Sequence, residues 1–212
     1  MTKKLQKALL ILICININFA FAERDKIFPN KLNHCNITKS HINDYEPANF
    51  QTTNNLLRST GEHLVYCGEK IIITGKVLDQ NCVPVSDAKV YLWQVGCDGK
   101  YPYYPLRNRI NKKMLNLSNG SSFTGSGIAT TNNEGEFHFI TIYPPSTTHE
   151  KSNVNIRVEH RNLGTLQTKF YLLDSNILTN DTEINPILST IIEDATVYNF
   201  NIIMPGQTLK RY

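Results

Sequence analysis

Residues 70–101 read KIIITGKVLDQNCVPVSDAKVYLWQVGCDGKY, and the fold class follows from how this stretch alternates. Lys70 to Asp79 is apolar and rich in β-branched residues, which suit a pleated, half-buried strand better than a helix. Gln80 to Ser86 supplies turn chemistry around Pro84, and Ala88 to Val95 returns to alternation. The two runs read as a β-hairpin centred near Cys82. Asp98-Gly99 ends it, and a long segment from Tyr101 to Ser122 carries Arg107, Arg109, Lys112 and Lys113. A second hairpin is predicted from Gly125 to Thr131, the turn Asn132 to Gly135, and Glu136 to Ile142.

Further along, Val154, Ile156 and Val158 alternate with Asn153, Asn155, Arg157 and Glu159, the pattern of a half-buried strand. Leu166 to Leu173 and Thr196 to Met204 add two more strands, while Ile184 to Ile192 reads as a short helix behind a capping Asp or Thr. Trp93 and Phe139 are expected on inward faces. With no internal repeat and no long helical period, the chain is predicted to be all-β, an antiparallel β-sandwich over residues 67–212, with residues 23–66 an Asn- and Lys-rich arm.

The 212 residues are 41% hydrophobic and 19% charged, which excludes a disordered, collagenous or coiled-coil chain. Lys3, Lys4 and Lys7, the apolar run Ala8 to Ile15, and Ala20-Phe21-Ala22 form the three parts of a secretory signal peptide over residues 1–22. The run is too short for an integral span of ~20 residues. Ile13 is too bulky for Cys14 to sit in a lipoprotein box. Removing residues 1–22 takes the 22 basic residues to 22 − 3 = 19 against 18 acidic ones, so the net charge of about +1 points to neither nucleic acid nor an anionic membrane surface as partner. Export, to a periplasm or beyond the cell, makes the four remaining cysteines disulfide candidates. Strand positions paired across a turn at Cys82 have numbers summing to about 164, as Cys67 and Cys97 do, so Cys67–Cys97 is predicted and Cys35 is left to pin the arm to Cys82.

The G-x-V-x-D strand, the Pro84-Val85 turn, Trp93-Gln94 and the closing Gly99-x-Tyr101 segment resemble the intradiol ring-cleavage dioxygenases. So do Phe123 to Gly127, Thr131 to Gly135 and Phe137-x-Phe139-x-Thr141-Ile142-x-Pro144. The resemblance implies a prealbumin-like sandwich, cleavage of catechol-type rings with O₂, and a non-haem Fe(III) held by two tyrosinates and two histidines. Hard Fe(III) is matched by anionic phenolate oxygen. Carried over residue by residue, the first tyrosine falls on Tyr101. The second falls on Thr147, and the H-x-H pair falls on Asn153 and Asn155. The family's two arginines fall on Glu150 and Ile128. Three of four metal ligands are therefore absent from their expected positions, and no cofactor is expected.

Three functions stay open at this level. The first is a non-catalytic binding protein or structural subunit, partnered by a second copy or a catalytic paralogue and taking a small aromatic ligand. The second is an active Fe(III) dioxygenase with a site rebuilt from Tyr101, Tyr143 and His149 or His160. The third is a prealbumin-like carrier or adhesion module. Export is tested directly: N-terminal sequencing of the protein recovered outside the cytosol should begin at Glu23, and an intact chain in the cytosol refutes it.

Overall fold

A computed structural model describes residues 34–118, 120–146, 150–173, 186–192 and 195–208. Its eight strands are β1 (Lys70–Leu78), β2 (Lys89–Trp93), β3 (Ser126–Thr130), β4 (Glu136–Ile142), β5 (Asn153–His160), β6 (Gly164–Leu173), β7 (Pro186–Ile192) and β8 (Ala195–Ile203). They run in the order β3-β2-β5-β6-β7-β8-β1-β4, which forms two four-stranded sheets joined where β6 meets β7. This is the expected sandwich, with two parallel pairings in it, β1 with β8 and β6 with β7.

Neither predicted hairpin forms as such. β1 pairs with β4 and β8, whereas β2 pairs with β3 and β5, so the turn at Gln80 to Ser86 carries the chain from one sheet to the other. The turn starts as a hairpin, with a Leu78↔Pro84 bridge and Val85 N–H donating to the Val77 carbonyl. The chain then peels away. Thr131 Oγ1 accepts from Ala88 N–H and donates to the Val85 carbonyl, fixing the crossing between fully buried Val85 and Ala88. The second pair crosses in the same way. Alternation shows that a run has one apolar face but not whether that face lies beside its neighbour or opposite it. Here the inward faces meet, with Ile71, Ile73, Val77 and Phe139 of one sheet and Val90, Leu92, Val154 and Ile156 of the other in one core.

The disulfides Cys35–Cys82 and Cys67–Cys97 are present, with Cα atoms 5.4 and 5.9 Å apart. The pairing matches the expectation, although the hairpin register used to derive it is not there. A sheet-to-sheet crossing also returns the chain to the end it left, so Cys67 before β1 and Cys97 after β2 still meet. The helix expected at Ile184 to Ile192 is corrected. Residues 186–192 are strand β7, paired antiparallel with β8 from Ser189↔Tyr198 to Ile192↔Ala195. A short apolar run with β-branched residues is decided by the strand edge available to it.

From residue 34 the arm is built into the sandwich. Cys35, Thr38 and His41 donate backbone hydrogen bonds to Gln80, Ile203 and Gln167. Residues 53–56 then fill the gap between the edge strands: Ile128 N–H donates to Thr53, Ile140 N–H to Asn54, and Leu56 N–H to Ile140. Leu56 and Leu57 enter the core. Gly127 permits this, because a Cβ there would lie 2.3 Å from the Thr53 carbonyl oxygen.

Non-reducing peptide mapping should recover Cys35–Cys82 and Cys67–Cys97 and no other pairs. Opening the 47-residue Cys35–Cys82 loop with Cys35→Ser should cost about 2–4 kcal/mol in urea denaturation.

Candidate functional site

The candidate site lies on the outward face of the β3-β2-β5-β6 sheet, under the arm. Register places Trp93 beside Asn155 and Asn155 beside Lys169, a row of three across β2, β5 and β6, with Tyr91 beside Arg157 in the next row. Residues directly opposite share a face. An outward row would ordinarily be solvated, yet Trp93 is fully buried and Asn155 is 1% exposed. Trp93 was expected on an inward face. It points outward and is buried by the arm, with Phe50 edge-on to its ring and Asn43 Oδ1 accepting from its indole N–H at 3.2 Å. Arg157 fastens this cover by pairing with Glu46 and with Glu159 at 3.2 Å, its guanidinium 4.2 Å above the Tyr91 ring.

Tyr101 stands at the end of the row, 4% exposed, its ring stacked on Tyr45 at 4.7 Å. Its backbone is fixed from both sides, Tyr101 N–H donating to Met114 and Asn116 N–H to Tyr101. Burial pushes the Tyr101 phenol up to about 12, an effect that side-chain hydrogen bonds with Asn43 and Asn155 only partly offset. Beside it opens a cavity of about 260 Å³ lined by Tyr45, Tyr101, Met114, Glu150, Lys151 and Asn153 among others. A larger open groove of about 1120 Å³ runs over β1, β4 and β8 and contains none of these groups.

The buried cation in the row is Lys169, whose side chain is 6% exposed and ion-paired with Glu150. Its neighbours register the pair. The His41 pKa is lowered by burial first and then by the Lys169 ammonium, and burial followed by the Glu150 carboxylate raises the Tyr171 phenol. Asn155 Nδ2 reaches the Trp93 carbonyl at 3.5 Å, and the buried Asn155 Oδ1 has no hydrogen-bond partner among the described residues.

Tyr101, Asn153, Asn155 and Glu150 stand together, while Thr147 and His149 lie outside the described residues. His160 is not brought to them. It ends β5 seven residues beyond Asn153, about 23 Å along an extended strand, so it cannot complete a site with Tyr101. Tyr143 points elsewhere, its hydroxyl donating to the Leu172 carbonyl at 3.2 Å. Ile128 lines the larger groove instead. Asn43, Tyr45, His41 and Lys169 were missed by sequence reasoning. Register opposite Asn155 was the one signal for Lys169, and it appears only once β5 and β6 are paired.

The family described as Dioxygenase matches residues 41–162, which include Asn43, Tyr101, Glu150 and Asn155. A Rickettsia felis protein provisionally named a dioxygenase is 51% identical over 98% of this chain and 100% of its own length. The chain belongs to the intradiol ring-cleavage dioxygenase family. The protocatechuate 3,4-dioxygenase beta chain of Burkholderia cepacia is 33% identical over 48% of this chain and 38% of its own. The intradiol ring-cleavage dioxygenase of Tetranychus urticae superposes with a TM-score of 0.61 at 15% identity, over 84% of this chain and 98% of that one, a likeness of fold.

Within this family member Tyr101 is held neutral, and that has a signature. Between pH 10 and about 12 the unfolded chain releases the phenol proton that the folded chain retains, so stability falls as pH rises through this window. Tyr101→Phe should remove that loss, at most about 2–3 kcal/mol, and cost about 1 kcal/mol at neutral pH through its lost hydrogen bonds. Urea midpoints of both proteins across the alkaline range measure this.

Proposed function

We propose that this chain is an exported, non-catalytic member of the intradiol dioxygenase family. It acts by binding a small aromatic molecule or a partner chain, its ferric site replaced by a lysine–glutamate pair. The observation that carries this reading is Lys169. Family chemistry uses Fe(III), and the donors here do not fit it. Asn153 and Asn155 offer neutral amide oxygens, better suited to Ca or Mg than to Fe(III). Tyr101 sits where burial favours the neutral phenol over the phenolate. Most of all, an ammonium stands in register beside Asn155, with its charge already balanced by Glu150. A trivalent cation at that place would meet repulsion from Lys169 that the low dielectric under the arm amplifies.

What remains supports binding. The Tyr45–Tyr101 stack offers an aromatic wall, and Asn155 Oδ1 is a buried acceptor that a hydroxyl or amine of a bound molecule would satisfy. The partner-chain version finds support in the likeness to a protocatechuate 3,4-dioxygenase beta chain, whose name marks it as one chain of an assembly of unlike chains. Export finds support in the two disulfides, which persist in oxidising compartments. Among the described residues no helix is long and apolar enough to cross a membrane.

The purified protein should lack stoichiometric iron and tyrosinate-to-iron absorption, and should take up no O₂ with catechol or protocatechuate. Iron at one per chain with ring-cleaving turnover would overturn the proposal. Thr147→Tyr/Asn153→His/Asn155→His together should give weak ferric binding, and adding Lys169→Met should strengthen it by about tenfold or more. If the triple variant binds iron equally well with Lys169 present, the lysine is not what displaces the metal.

A further inference from the structure

We propose that the segment 102–118 is a docking surface for an anionic lipid bilayer. Between Asp98 and Glu134 the chain has no acidic residue, while Lys100, Arg107, Arg109, Lys112 and Lys113 all fall there. Arg107 pairs with Asp44 at 2.8 Å, and Arg109, Lys112 and Lys113 are exposed and pair with no described residue. A 3₁₀ turn capped by Asn111 sets Lys112 and Lys113 side by side. Among these cations the chain exposes apolar side chains that a folded domain ordinarily covers: Tyr104 at 72%, Leu106 at 59% and Leu117 at 40%. Between them lies a shallow groove of about 510 Å³, its floor Pro105, Ile110 and Leu115 and its rim Arg107 and Lys112.

The base of the segment is rigid. Ala48 N–H donates to the Tyr104 carbonyl and Leu106 N–H to Glu46, a Pro47↔Pro105 bridge joins it to the arm, and Met114 and Asn116 are tied to Tyr101. The exposed side chains are therefore presented at little cost in backbone order. Aromatic and leucine tips among lysines and arginines are the composition of an interfacial anchor, the tips entering at headgroup depth while the cations meet lipid phosphates. Charge complementarity selects the occupant. Lysine is depleted in protein–protein interface cores, which want directional, desolvated partners, whereas a field of anionic headgroups needs none.

The test is sedimentation with vesicles of phosphatidylglycerol mixed into phosphatidylcholine, against phosphatidylcholine alone. Parent and variants share one N-terminus, so any contribution of residues 1–33 cancels. The parent should partition onto the anionic vesicles, less so at about 0.5 M salt. Arg109→Ser/Lys112→Ser/Lys113→Ser should lower partitioning roughly 100-fold, about fivefold per cation. Tyr104→Ser/Leu106→Ser should lower it roughly tenfold or more. All five positions are exposed or rest on surface loops, so circular dichroism should be unchanged. Equal partitioning onto neutral vesicles, no partitioning, or variants that behave as the parent each overturn the proposal. Retention on an acidic polypeptide without vesicle binding, or a dimer that the Tyr104/Leu106 variant breaks, overturns it in favour of an acidic protein or a second copy.

Discussion

Arg157 holds the arm to the sheet, and the site exists because of that contact. On an uncovered sandwich the outward row of β2, β5 and β6 would face water, and Trp93, Asn155 and Lys169 would be ordinary surface residues. The arm crosses that face through Glu46, Phe50 and Asn43, each meeting a group the sheet presents. Once it lies there, the same residues sit in low dielectric. The Tyr101 phenol is forced neutral and Lys169 must find Glu150, because an unpaired ammonium so buried would be costly. The disulfide at Cys35 contributes from a distance by limiting where the arm can go.

Strand existence was legible because alternation is local, and β1, β2, β5, β6 and β8 lie close to where the pattern put them. Partnership was not legible. A run such as KIIITGKVL has the same apolar face whether its neighbour in sequence lies beside it or across the core. The β7 run failed for a related reason, since PILSTII is too short to show a period and takes its conformation from β8. Cys67–Cys97 was found despite the wrong topology because both arrangements bring the chain back to one end.

The site divides along the same line. Tyr101, Asn153, Asn155 and Glu150 were found because motif spacing carries them, and they do gather. Lys169 sits on the neighbouring strand with no motif of its own, and Asn43 and Tyr45 belong to an arm whose composition resembles a linker. The roles of Asn43 and Tyr45 come from burial by contacts fifty or more residues away in sequence, which no window along the chain contains.

The proposed exchange of a metal for an ion pair has a physical logic of its own. In a buried site, a cation and the groups that face it are stable only as a set, because removing one member leaves an uncompensated charge worth about 3–5 kcal/mol. Under the proposed reading, amides on β5 leave room for a fixed cation from β6, Lys169, and the acid that balances it is Glu150, just before β5. Each member now holds the others in place. Lys169 without Glu150 would be an unpaired buried charge, and Glu150 without Lys169 would face the Tyr101 phenol, whose pKa its charge already raises. A site of this kind is locked against single changes in either direction.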